Sequence, residues 1–468
     1  MTGIAHELAE YIVSLKYEDL PQDTIDMAKK CILDSVGNMC CGRYSNMGKH
    51  ILRYIDTYSR ATRGERKVSL MGGGKASKED SMMAHTIMAR CTDLDDGHRY
   101  AMGHPGSVVL PAVLTAGELR NSSGKDIITA IVAGYDIYCR IGSAINPSSY
   151  RERGFDATGV CGAAACAAGI GKIYGLDVRQ MKNALGLSST FSGGLIEYQN
   201  DGTMGKVLCG CWAVNNGMDA VQLAEQGFTG PEQIFEGDKG FFQAFSNAPD
   251  ASNVLAGLGR DFKINETYFK QHACMRGLHG AVDALLDIRK KEGITAKNVD
   301  RIEIQTTSFV GRLSNPRPDT LIGAQCSIEF VLAVAMAEGH ISSDEILLQS
   351  MEREDIRHLA SRIILKMDKR IDGYVKENPS HWAAVNMIIY TTEGRVFKQW
   401  MPLPRGESET PFGWEELEEK FKRLLSDTPF HKHEEAMYGD IRNFEELTGM
   451  YKLFAPWETE GSGRKTSA

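Results

Sequence analysis

Several features are missing from this 468-residue chain, and each absence removes a class of function. The opening Met1-Thr2-Gly3-Ile4-Ala5-His6-Glu7 has neither a basic n-region nor an apolar h-region, so no secretory leader is expected and the protein is placed in the cytoplasm. The most apolar run outside an alanine-rich belt, Ile127-Ile128-Thr129-Ala130-Ile131-Val132-Ala133, is too short to span a bilayer, and no membrane partner is expected. No long basic run occurs and the net charge is -8, which argues against nucleic acid as a partner. A local cationic pocket can still attract a small anion against that background. The eleven cysteines have only two close groupings, Cys40-Cys41 and Cys209-Gly210-Cys211, and neither gives the C-x2-C spacing of zinc sites. An odd, unpatterned set fits a reducing compartment in which most of them are small buried apolar groups.

Two nucleotide motifs also fail. In Met71-Gly72-Gly73-Gly74-Lys75, Ser69 stands where a phosphate loop requires its first glycine, and Ala76 follows the lysine where Ser or Thr belongs. The stretch reads as a flexible turn. Gly169-Ile170-Gly171 has no strand before it, which excludes a dinucleotide fingerprint.

What is present is a long run of capped helices. The length exceeds a single core, so two domains are expected, and 42% hydrophobic residues suffice to bury both. Ile4, Leu8, Ile12 and Leu15 put one apolar face on a first helix; Pro21 opens a second that Gly42 stops. Ser77 with Asp80, Ser123 with Asp126 and Asp177 with Gln180 read as helix caps. Val108 to Leu119 reads as a core helix with Pro111 in its first turn, Gly162 to Gly169 as a small-residue helix ended by Gly175, and Ser188 to Gly194 as a loop. No convincing strand precedes residue 260. The texture then changes: Ile302 to Thr307 alternates, and Asn386 to Thr392 closes on Glu393-Gly394 as a hairpin, with helices expected over Cys326 to Gly339 and Asp355 to Met367. Trp414, Leu417, Phe421, Leu424 and Leu425 mark a late amphipathic helix, and the polar tail from about Glu458 is expected to be disordered. The expected architecture is mainly α: a helical domain over 1–262, a smaller α+β lid domain over 263–400, and a return to the helical domain over 401–468.

Chemistry concentrates in Asp93-Leu94-Asp95-Asp96-Gly97-His98-Arg99, followed by His104-Pro105-Gly106. Three carboxylates and two imidazoles within a dozen positions are too many charges for a packing segment. The plain alternative is a capped helix followed by a solvated turn. His104 falls just before a helix N-terminus, which depresses an imidazole's proton affinity and aims backbone N–H groups at an anion. A second cluster is Asp201-Gly202-Thr203-Met204-Gly205-Lys206, where glycines let a ligand approach and Lys206 is the standout. A third runs from Lys270 to His279, whose plain reading is a basic loop around a buried, inert Cys274. Gly227-Phe228-Thr229-Gly230-Pro231 and Phe235 to Gly240 look architectural.

Taken together, Asp93-Leu94-Asp95-Asp96 with His104-Pro105-Gly106, the Thr203–Lys206 segment, Leu223 to Pro231, Glu236-Gly237, Cys274 to His279 and Ala324 to Glu329 resemble the MmgE/PrpD family, in the right order from about Ala28 to Thr392. The resemblance implies a large all-helical domain completed by the C-terminal residues, an α+β lid, a homodimer, and an active site between the two domains. It implies no metal and no organic cofactor, and substrates that are small di- and tricarboxylates, as in 2-methylcitrate dehydratase, cis-aconitate decarboxylase and iminodisuccinate epimerase. By position it makes Asp93, His104, Lys206 and His279 the catalytic candidates. His98, Arg99, Tyr135, Asp156, Lys270, Cys274 and Arg276 are the substrate-binding candidates. Two positions depart from the family: Gly97 replaces a common Thr, and Asp156-Ala157-Thr158 stands where relatives commonly place a His, which weighs against cis-aconitate decarboxylation.

Removing a proton or CO2 alpha to a carboxylate leaves charge that water stabilises poorly, and fixed cations answer it. Lys206, Arg276, His279 and Arg99 are the expected carboxylate holders, His104 the general base and Asp93 its orienting or relay group. An epimerase would need Lys206 or Tyr135 to return the proton on the opposite face. The expected function is a 2-methylcitrate dehydratase-like lyase; an epimerase or decarboxylase on the same scaffold, or a non-catalytic carboxylate-binding dimer, are the alternatives.

Overall fold

Caps written in the sequence start the helices. In this computed structural model, which describes residues 3–59 and 68–450, Ser77 Oγ accepts from Asp80 N at 3.1 Å to open Lys78–Arg90. The reciprocal Ser123/Asp126 box opens Gly124–Ile145, and the Asp177/Gln180 pair opens Val178–Thr190. Gly175, at φ +68°, ends Ala157–Tyr174 in the left-handed region that favours glycine. Two boundaries differ from expectation. The Gln22–Tyr44 helix passes Gly42, because that glycine serves close approach: a Cβ there would lie 2.0 Å from the Met88 carbonyl oxygen. Pro111 falls in the second turn of Gly106–Arg120, and the helix continues through it. Every residue from Gly106 to Gly117 is buried, so packing outweighs a lost hydrogen bond worth about 1 kcal/mol net.

The small-residue helix lies at the centre of the helical layer. At Gly217 a Cβ would sit 2.6 Å from Cys166 Cβ, and at Gly162 one would sit 3.0 Å from Ala213 Cβ, so the Ala157–Tyr174 and Gly205–Glu225 helices meet almost backbone to backbone. The apolar run at 127–133 belongs to Gly124–Ile145, a helix long and apolar enough to cross a membrane but enclosed by its neighbours, with 94% of its most apolar window buried. Before residue 260 the only strands among the described residues are the two-residue pair Val68–Ser69 and Lys75–Ala76 around the glycine turn.

The α+β unit is built on a four-stranded sheet in the order Ile363–Met367, Val299–Thr306, Val385–Thr391, Val396–Met401. The first pair is parallel, with Ile302 opposite Ile363, and the others are antiparallel. The expected helix over Asp355 to Met367 is corrected here: Glu354–Ala360 is helical, and the chain then becomes the edge strand Ile363–Met367. Ile356, Leu359, Ala360 and Ile363 have helical spacing, but pairing with Val299–Thr306 satisfies the later backbone groups instead. The helix at Cys326 to Gly339 is likewise two, Leu321–Cys326 and Ile328–Glu338, restarted where Ser327 Oγ accepts from Phe330 N. The Val178–Thr190 helix takes up the first part of the expected 188–194 loop. The chain is therefore mainly α with a smaller α+β portion. Trp414–Leu425 returns to the helical layer, where Phe421 and Leu424 close over Gly37 of the second helix. The polar tail from Glu458 lies outside the described residues. Eight of the eleven cysteines are buried, and all are free.

Candidate active site

The Lys78–Arg90 helix ends one turn before the acidic stretch, and Asp93 takes a left-handed conformation at φ +55°, which Asp tolerates better than most residues. The next carbonyl, that of Leu94, is held from behind: Lys420 Nζ donates to it at 2.7 Å and Asn38 Nδ2 at 3.3 Å. The returning C-terminal helix thus fixes the strained turn. Asp93 faces inward, 2% exposed. Its Oδ1 accepts from Lys270 Nζ at 2.7 Å, and its Oδ2 lies 2.9 Å from Lys206 Nζ. Burial works to raise the pKa of Asp93, but Lys206 and Lys270 overcome it and hold the carboxyl far below the usual range. Lys206 comes from the first turn of Gly205–Glu225 and Lys270 from the start of the lid, so three distant segments meet at one carboxylate.

Gly97 and Tyr268 exchange backbone hydrogen bonds, as do His98 and Gly103, and this ladder sets His104 before the Gly106–Arg120 helix. His104 Nδ1–H donates to the Asp96 carbonyl at 2.7 Å, leaving Nε2 as the basic nitrogen of a ring on the cavity wall. Burial, then Lys270 and Arg90, push its pKa well below the ordinary imidazole value, so the ring is neutral at physiological pH. Behind it, the Asp96 carboxyl accepts from Tyr135 Oη at 2.6 Å and Gly106 N at 3.0 Å. Burial and the nearby Asp34 push Asp96 up to about 7.

These groups border a cavity of about 650 Å³ between the helical layer and the lid. Asp93, His98, Arg99, His104, Asp156, Lys206, Lys270 and Arg276 line it. Tyr135, Cys274 and His279 do not. Tyr135 is spent on Asp96, behind the wall. His279 is 1% exposed; its Nδ1 accepts from Arg276 Nη1 at 3.2 Å and its Nε2–H donates to the Cys274 carbonyl at 3.2 Å. It orients Arg276, so its placement does not fit the direct catalytic part expected for it. Burial pushes the pKa of the Cys274 thiol up, and it is the backbone carbonyl of this residue that meets His279. The two arginines carry less free charge than expected. Arg276 Nε and Nη2 donate to Glu407 at 3.0 and 2.8 Å, while Arg99 Nη1 donates to Glu407 at 3.3 Å and to Glu409 at 2.7 Å. His98 Nε2–H donates to Glu266 at 3.0 Å.

Both family departures have a local reason. A Cβ at Gly97 would lie 2.3 Å from the hydroxyl oxygen of Tyr268, whose ring lines the cavity and stacks on the Arg276 guanidinium at 4.6 Å. Asp156 caps the Ala157–Tyr174 helix through Thr158 N at 2.7 Å, and its Oδ2 accepts from Tyr198 Oη at 2.5 Å and Arg90 Nη2 at 3.3 Å. Arg90, Asp95, Tyr198, Tyr268, Gln325 and Glu407 were not singled out by sequence reasoning. Arg90 ends a helix otherwise full of core residues, and nothing local marks it as buried. Tyr268, two residues before Lys270, and Asp95, within the acidic stretch, were the ones with a signal nearby.

A neutral imidazole lines the same cavity as two lysines that share one carboxylate, between the helical layer and the α+β unit, a combination suited to binding a small carboxylate. The chain matches the MmgE/PrpD N-terminal domain over residues 6–253 and the MmgE/PrpD C-terminal domain over residues 272–439, and it belongs to the MmgE/PrpD family. Its relatives include the cis-aconitate decarboxylase-like protein oryM of Aspergillus oryzae, 24% identical over 97% of each chain. Others are the cis-aconitate decarboxylase of Aspergillus terreus, 26% identical over 90% of this chain and 89% of that one, and that of Mus musculus, 23% identical over 96% and 92%.

Proposed function

We propose that this protein is a lyase that forms a carbanion alpha to a carboxylate of a small di- or tricarboxylate. The observation that carries the reading is His104, neutral and bonded only through Nδ1 in the described contacts, on the same cavity wall as the Lys206–Asp93–Lys270 triad. Its Nε2 takes the proton from carbon, a step that general-base help speeds about 10²–10⁴-fold. Lys206 and Lys270 hold the carboxylate whose oxygens receive the electron pair, and fixed positive charge in a dry cleft is worth roughly several kcal/mol there. Asp93 keeps both ammonium groups in place. In a dehydration of the 2-methylcitrate type, hydroxide leaves the adjacent carbon with a proton from Lys206.

The names of the relatives favour a second reading, decarboxylation, in which the C–CO2 bond breaks, its electron pair stays on the substrate as a carbanion held in the same cation-lined pocket, and Lys206 protonates the carbon. A panel of citrate, 2-methylcitrate, cis-aconitate and iminodisuccinate, followed by ultraviolet absorbance and by NMR in D2O, separates the two. Deuterium entering one carbon without net product would instead mark an epimerase. Lys206→Ala and His104→Ala are expected to abolish turnover with unchanged circular dichroism; full activity in both would overturn the assignment. The homodimer implied by the family resemblance has a candidate face where Leu208 and Trp212 of the Gly205–Glu225 helix stand exposed beside Phe191, Leu195 and Met204. Sedimentation of a Trp212→Glu variant as a monomer would support that face, and an unchanged mass would exclude it.

A further inference from the structure

Asp95 is a charged group beside this site to which the proposed chemistry gives no part. It is 3% exposed, and neither carboxylate oxygen holds a hydrogen bond among the described residues. Buried carboxylates are ordinarily satisfied, so an unsatisfied one beside a reacting group calls for a reason. Its Oδ2 lies 3.3 Å from His104 Nδ1 and 3.5 Å from Arg90 Nη1, and its Oδ1 lies 3.8 Å from Lys270 Nζ. The His104 Nδ1–H points to the Asp96 carbonyl at 2.7 Å, so in the neutral ring the Asp95 carboxylate is a neighbour of that proton and not its acceptor. Proton transfer to Nε2 leaves that Nδ1–H where it is but makes the ring a cation with charge on both nitrogens, and the Asp95 carboxylate lies 3.3 Å from Nδ1, close enough to offset that charge.

We infer that Asp95 is the positioning residue of His104: it stays unbonded while the imidazole is neutral and stabilises the imidazolium once carbon has given up its proton. The inference rests on the reading of His104 as general base. It accounts for why the acidic stretch carries a carboxylate here in addition to Asp93, which is occupied by two lysines, and Asp96, which is occupied by Tyr135 and Gly106. Around His104, Asp93 and Asp95 favour the charged ring, whereas Arg90 and Lys270 oppose it. Removing Asp95 therefore shifts the balance toward the neutral form.

The test is Asp95→Asn beside His104→Ala, assayed on whichever acid of the panel turns over, with kcat, KM and the pH profile of kcat/KM recorded. The expected result is a kcat lower by about 100-fold with KM within threefold of the parent. The acidic limb should move to lower pH by about one unit, because the ring has lost an opposite charge and protonates less readily. A limb that stays in place, or an unchanged kcat with His104→Ala inactive, overturns the inference and leaves His104 as base. Activity in His104→Ala would instead overturn the underlying reading. If Asp95→Asn does not fold, Asp95→Glu decides: the charge is kept, so kcat falls while the limb stays at the parental pH, and a limb displaced downward refutes the role.

Discussion

Lys270→Met takes one charge out of a cluster that is otherwise balanced. Six buried groups form one ion-paired cluster at the cleft: Arg90, Lys206 and Lys270 against Asp93, Asp95 and Asp156. At 2.7 Å the Lys270–Asp93 attraction is about 6 kcal/mol for an effective dielectric of 20. Much of that offsets desolvation, and removing one partner of a buried pair costs about 3–5 kcal/mol because the other charge is stranded. The expected result is an unfolding midpoint lowered by about 3–5 °C, read by circular dichroism. Adding Asp93→Asn makes the cluster neutral again, so the double variant is expected to be more stable than Lys270→Met alone by at least about 1 kcal/mol. The pH dependence has a definite sign. The pKa of Asp93 is depressed in the folded protein, so its contribution is full above the unfolded value near 3.9 and is lost as pH falls toward the folded one. The gap between parent and Lys270→Met is therefore widest at neutral pH and narrows below about pH 4. A loss under about 1 kcal/mol, or strict additivity in the double variant, would refute the balanced-cluster argument.

Gly97→Thr is expected to destabilise by about 1–3 kcal/mol, since its Cβ would meet the buried Tyr268 ring. Thermal unfolding checks this, and Gly97→Thr should cost less in a Tyr268→Ser background than in the parent. Asp96, pushed up to about 7 in the fold, contributes stability that is fully present below the unfolded value near 3.9 and is lost as pH rises through 7. Asp96→Asn, which can still accept from Gly106 N and donate to Tyr135, should show a flatter urea midpoint between pH 4 and 8; curves parallel to the parent would count against it.

Local signals were enough for the capped helices of the first half and for the family. Ser77, Ser123 and Asp177 cap what they were expected to cap, and the glycine-alanine stretch at 162–169 forms the close-packed helix its side-chain volumes allow. These depend on groups within four residues of one another, which a linear reading sees. The edge strand Ile363–Met367 was hidden because its partner lies about sixty residues earlier, while its own apolar spacing continues the preceding helix.

At the site the division is the same. The residue types that the proposed chemistry needs, to hold a carboxylate and take a proton from the carbon beside it, stand in the sequence at Asp93, His104, Lys206 and Lys270. The chain order cannot say that His279 and Cys274 are buried outside the cavity lining, or that Glu407 meets the charge of Arg99 and Arg276 from more than 130 positions downstream. Nor can it say that Lys420 steadies the turn at Asp93. Composition and spacing decide which charges a protein owns; only folding decides which are paired, and an unpaired charge or a neutral imidazole is what does chemistry.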